Sequence, residues 1–246
     1  MPMSHFHAIG FQIEGREQFG QLMADLAGQA VEQPADPEHG RTLLWSDDHV
    51  QVWFHPDANW CIVPAFNSQR RFRVMPTAWR PSPDGCPFCA MLDVEVLGDE
   101  PGAVAFPLCV TAGDIRLLMR EIALGTSIEL GLTLFAESVE PITTDDNAGT
   151  DHDLASQITN HLWRGGVFPL GPFNAVGQRR DTPRARVNGE LLTLDTLTNT
   201  HSSKDFHRLE IGSTGGIWEA VAAPTNVESL KVGHRLSITG WVCATL

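Results

Sequence analysis

The residue pattern with the most chemical content is Cys86-Pro87-Phe88-Cys89. A C-x-x-C pair holds two sulfurs near enough for a reversible disulfide, and the same spacing offers two thiolates to zinc. Zinc needs two further ligands, and the other cysteines, Cys61, Cys109 and Cys243, are single and widely separated in sequence. Histidines are the next candidates. His5 and His7, two apart, would share one face of a strand and chelate a metal together. His201 and His207 bracket Asp205 within seven residues, which suits acid–base chemistry or a metal ligand set. Asp151-His152-Asp153, with His161 beyond, offers an acidic cluster, and Arg179, Arg180, Arg184 and Arg186 a local anion site. Each has a plainer reading, because polar side chains of these types are ordinary at strand edges and in loops. The sequence contains no G-x-S-x-G elbow, G-x-x-x-x-G-K-[ST] loop or G-x-G-x-x-G fingerprint. The expectation is a chain with no assigned catalytic residue, metal or cofactor. His5, His7, Cys86, Cys89, His201 and His207 are the positions to inspect.

These groups need elements to hold them. Residues 1–67 read as βαβββ, with a strand over 7–13, a helix over 14–30 and strands over 42–45, 49–54 and 60–66. Within 14–30, Phe19, Leu22, Met23, Leu26 and Ala27 make one apolar stripe, and Gly28 is a stop signal. Residues 68–140 read as strands over 72–79, 90–96, 103–110 and 127–136, with a short helix over 113–124 before the last. Residues 141–155 carry no periodicity and read as a linker. Beyond them, a helical segment near 158–163 and a loop-rich stretch over 165–184 lead to strands over 191–197, 206–211, 216–222 and 234–242. The seven tryptophans mostly fall on these predicted strands, where core packing is the default.

The chain also echoes itself. Residues 125–136 line up without gaps on 233–244, sharing Gly125 with Gly233 and Ala136 with Ala244. An acid-bearing strand precedes each block, around Asp93 and Glu95 in one and Glu210 in the other. The shared order, strand-strand-strand-helix-strand, is that of much of an OB-like small barrel, and the second copy needs a strand from elsewhere to close. The first 67 residues resemble one βαβββ module of the glyoxalase/vicinal-oxygen-chelate fold in their element order. That resemblance implies a metal-binding His near the first strand, a place for His5 or His7, and a Glu on the last; residues 60–67 hold neither Glu nor His. The Cys-Pro-Phe-Cys form resembles glutaredoxin active sites, which implies a thiolate at a helix N-terminus. Here the pair leads into a predicted strand.

Charge narrows the partners. The 246 residues carry 30 acids and 17 bases, a formal charge of −13. Residues 1–67 hold nine acids and two bases, 137–155 six acids and no base, and 156–246 seven acids and nine bases. Such a field disfavours nucleic acid and anionic membranes and favours a basic protein. No apolar run approaches the ~18 residues of a membrane span. The start lacks the pattern of a secretion signal, and an odd cysteine count argues against a disulfide framework. The expected protein is soluble, cytoplasmic and α+β, mainly antiparallel β. It has a βαβββ unit at 1–67, an OB-like β unit with one helix at 68–140, an acidic linker at 141–155 and a second OB-like β unit at 156–246. Its expected role is a non-catalytic binding or interaction protein engaging a basic protein partner. The alternative is a small-molecule or metal-dependent enzyme using a histidine cluster.

Overall fold

A computed structural model describes residues 4–34, 40–56, 61–80, 91–100, 103–113, 122–142, 165–170 and 182–246. The apolar run expected as a first strand does not form one. Helix α1 (Ser4–His7) is followed by a turn in which the Phe11 N–H donates to the Phe6 carbonyl at 2.9 Å. Phe6, Ile9, Phe11 and Ile13 are all buried, so the run is apolar because both of its sides are covered, a pattern that looks the same for a strand and for a buried turn. Gly10 makes the turn possible. Its φ is +86°, and a Cβ there would lie 2.9 Å from the Lys204 carbonyl oxygen. Helix α2 (Arg16–Gln29) buries Met23 and Leu26, two members of the expected stripe. Gly28 lies inside it, and the chain leaves the helix through extended Ala30 instead. Strands β1 (Val31–Glu32), β2 (Leu43–Ser46), β3 (Val50–His55) and β4 (Cys61–Phe66) form an antiparallel sheet in that order.

The remaining strands make one nine-stranded sheet. They are β5 (Arg71–Arg80), β6 (Met91–Leu97), β7 (Val104–Ala112), β8 (Ile128–Pro141), β9 (Gly166–Leu170), β10 (Arg184–Asn199), β11 (Lys204–Ser213), β12 (Gly216–Ala222) and β13 (Arg235–Thr245). The sheet folds back on itself, because β8 also pairs with β13. Strands β5, β6, β7, β13 and β8 thereby close one circuit, and β10, β11, β12, β8 and β13 close another. Both contain β8 and β13. Strand β7 lies parallel to β13 and β12 parallel to β8, so each circuit takes a closing strand from the other's segment of chain.

The two circuits agree in register as well as in order. With Ile128 set on Leu236, the Val74–Ile128 pair of β5 and β8 falls on the Gly189–Leu236 pair of β10 and β13. The bulge between Pro76 and Ala78 then falls on the bulge between Leu191 and Thr193. Asp93 falls on Glu210, and the Thr111–Cys243 pair on Val221–Phe135. Leu134 pairs with Val242, its own counterpart, so the two-fold relation passes through that pair.

Alternation along these strands sets the packing. Leu130, Leu132, Leu134 and Ala136 of β8 point into the main core with Leu92, Val94, Leu209, Ile211, Trp218 and Ile238. Phe135 of β8, Phe206 of β11, Val221 of β12 and Cys243 of β13 belong to a second cluster, shared with Phe6, Phe11, Leu26 and Phe66. The N-terminal unit is thus docked on the outer faces of these strands, each fully buried large side chain contributing roughly 1.5–3 kcal/mol. Two strand expectations change here. Strand β9 lies in the stretch expected to be loop, and β10 begins at Arg184 and runs to Asn199, well outside 191–197. The helix expected over 113–124, the linker after Ile142 and the segment near 158–163 lie largely or wholly outside the described residues.

Candidate functional site

The inspected histidines hold the fold together in three different places. His5 is buried where α1 meets the outer face of β8 and β13, its ring edge-on to Trp241 at 4.9 Å and to Phe135 at 6.1 Å. Burial, together with nearby positive charge that includes Arg184, pushes its pKa down from 6.5 to about 4, and its Nε2 has no hydrogen-bond partner among the described residues. The His7 ring closes the following turn, with Nε2 3.0 Å from the Ile13 carbonyl oxygen and 3.2 Å from the Ile13 nitrogen. His201 sits at the tip of the β10–β11 hairpin, packed on Phe11 and Trp45 of the N-terminal unit. Asn199 shapes that tip. Its Oδ1 accepts from the backbone N–H groups of His201 and Ser202, and its Nδ2 donates to the Ile9 carbonyl at 2.9 Å. His207 lies on β11, its Nδ1 3.3 Å from the Thr196 hydroxyl. Among the described residues no three His, Cys, Asp or Glu side chains form a metal-type group.

Cys86 and Cys89 lie outside the described residues, as do the Asp151–Asp153 cluster, His161, Arg179 and Arg180. Cys61 is disulfide-bonded, while Cys109 and Cys243 are buried thiols. Burial pushes the Cys243 thiol up to about 12, which removes thiolate character at neutral pH. Arg184 pairs with Glu137 and Arg186 reaches Thr239 Oγ1, so these two arginines serve β8 and β13.

A polar cleft of 540 Å³ opens at the start of β5. Two buried glutamates anchor the Ser68–Arg70 segment that leads into it. Glu210 and Glu219 stand opposite each other across β11 and β12. One Glu219 oxygen accepts from the Ser68 hydroxyl, from the Gln69 N–H at 2.8 Å and from the Arg70 N–H at 3.2 Å. Glu210 takes the Arg70 guanidinium, with Nη2 at 2.8 Å. These contacts clamp the entry of β5, so that the pleat sets Phe72 inward and Arg71 and Arg73 outward. Phe72 packs against Trp218 at 4.9 Å. Arg71 donates to the Thr245 carbonyl at 3.2 Å and Arg73 to the Gly98 carbonyl at 2.7 Å. The other wall comes from the β6–β7 turn, with Leu97 and Asp99, from Glu129 on β8, and from the β11–β12 turn, with Gly215, Gly216 and Ile217. Gly215 and Gly216 have φ of +86° and +133°, and a Cβ on Gly215 would meet the Phe106 ring at 2.6 Å, so only glycine brings this hairpin so close.

No family model, curated protein or solved structure matches the chain. The cleft was missed by motif reading because its residues come from four separated segments. The available signal was Arg70-Arg71-Phe72-Arg73, three cations in four residues of a chain with only 17.

Proposed function

We propose that the protein is a non-catalytic binding protein built on two interlocked OB-like barrels that arose by duplication. The five-stranded circuits, the matched bulges and the echo of residues 125–136 in 233–244 support the barrel and duplication readings. The observation that carries the function is the cleft. It lies where hairpin tips of both circuits converge, and its lining joins guanidinium, carboxylate and apolar groups with glycine turns, a surface suited to holding a ligand. Of the histidines weighed for an enzyme, His5, His7 and His201 are engaged in ring packing and turn closure away from the cleft, and His207 stands beside Thr196. For a macromolecule, the charge of −13 favours a basic protein and disfavours nucleic acid. No helix among the described residues is long and apolar enough to cross a membrane.

A thermal-shift screen of small molecules, followed by NMR of each recovered ligand, tests the reading. Ligands that stabilise the wild type, lose that effect in Arg73→Ala and come back unchanged support it. Ligand turnover, or no cleft-dependent hit, overturns it.

A further inference from the structure

Arg71 and Arg73 project into the cleft with their orientation set by main-chain carbonyls, at Thr245 and Gly98, and neither pairs with a carboxylate among the described residues. Asp99 and Glu129 line the same cleft and likewise have no cationic partner among the described residues, although Glu129 stands opposite Arg73 in the β5–β8 register. Two cations and two anions therefore share one concavity without a direct ion pair among the described residues. Arg70, the third guanidinium, is already matched by Glu210.

The second circuit keeps an arginine, Arg186, at the position of Arg71, but shows that the scaffold does not demand the charges at 70, 73 and 129. The positions equivalent to Arg70, Phe72, Arg73 and Glu129 hold Ala185, Val187, Asn188 and Ser237, in the same register. The core position stays apolar in both circuits. The charges at 70, 73 and 129 occur in one circuit alone, the one whose cleft is open.

Resting on the binding reading, we infer that the cleft takes a small zwitterion carrying a carboxylate, an ammonium group and an apolar body, the chemistry of a free amino acid or short peptide. Arg71 and Arg73 keep guanidinium donors beyond those spent on the carbonyls, and a planar fork is suited to a carboxylate. Asp99 and Glu129 receive the ammonium. The half-buried Leu97 and Ile217 supply the apolar contact, and 540 Å³ fits a ligand of this size. The same two carboxylates disfavour a polyanion, because each added negative charge meets an unpaired acid.

Isothermal titration of the full chain with the twenty common amino acids and a set of apolar dipeptides tests the inference. Each hit is compared with its analogues lacking the amine or lacking the carboxylate. Arg73→Asn and Glu129→Ser, the residues of the equivalent positions, keep side chains that the scaffold accepts, and an unchanged melt checks that both fold. The expected result is saturable binding of zwitterions, weakened about tenfold by loss of either charged group or by either variant. Arg73→Asn should erase the preference for the carboxylate and Glu129→Ser that for the amine. Cleft binding by anions or cations alone, with zwitterions no better, overturns the zwitterion while the binding reading stands. No binding by the panel also overturns it, and the wider screen then decides the binding reading separately.

Discussion

The His5 imidazole makes a pH dependence that can be worked from the structure. It is 3% exposed, makes no hydrogen bond among the described residues and has its pKa pushed down from 6.5 to about 4, chiefly by burial. The unfolded chain therefore binds more protons at this site than the folded one as pH falls from 6.5 towards 4. Stability must drop over that window and recover as pH rises through it. A shift from 6.5 to about 4, at about 1.4 kcal/mol per unit, corresponds to roughly 3 kcal/mol, nearly all of it absent at pH 7 and expressed by pH 4. The perturbation is His5→Phe, which keeps a ring against Trp241 and Phe135 and removes the proton site; His5→Leu is a control for the added bulk. Urea unfolding of the wild type and both variants at pH 7, 6, 5 and 4 isolates the contribution, since every other titrating group is common to all three. The wild type should lose about 3 kcal/mol more than either variant between pH 7 and pH 4. Parallel pH profiles would refute the reasoning, because His5 would then titrate alike in both states.

Glu219 tests the clamp behind the cleft: Glu219→Leu leaves the Ser68 and Arg70 donors without their carboxylate and Arg208 without its buried neighbour 3.6 Å away. Unfolding should be easier by about 3 kcal/mol or more in urea titration, with Glu219→Gln losing less. Gly240→Ala would set a Cβ 2.1 Å from the Phe135 carbonyl oxygen and should cost roughly 2–3 kcal/mol, read as a lowered urea midpoint. Gly20→Ala, on exposed α2 with nothing within 4 Å of the added methyl, should instead add about 0.5–1 kcal/mol and raise the melting temperature. Cys109 and Cys243 should resist iodoacetamide at pH 7.5 in the native protein and label fully in urea, as mass spectrometry would show.

Elements with a clear period were legible in the sequence. Met23 and Leu26 repeat at helical spacing and lie on the buried side of α2, and the strand expected over 216–222 is β12 to the residue. Residues 7–13 misled because Phe6, Ile9 and Phe11 are apolar for tertiary reasons: the β10–β11 hairpin covers them from one side and α2 from the other. The start of strand β10 is hard to read because two of its inward positions, Ala185 and Gly189, are small and carry little apolar signal although the burial alternates strictly from Arg184 to Leu191. The candidate site was less legible still. Arg73, Asp99, Glu129 and Gly216 come together only through register and hairpin geometry, which no local window contains. The echo between 125–136 and 233–244 was visible, but not that Leu134 and Val242, equivalent positions in the two blocks, face each other.

The sharing of β8 and β13 has a consequence for how the chain is made. Strand β7, finished by Ala112, must wait for Cys243 and Ala244 before its open edge has a partner. On a ribosome adding ~5–20 residues per second, that interval lasts several seconds or more, with an unpaired strand edge exposed. Neither circuit can complete during synthesis before β13 emerges, and then both can close on the same strand. Ring closure is thus a late and joint event, and the protein depends most on protection from aggregation while its second half is still being translated.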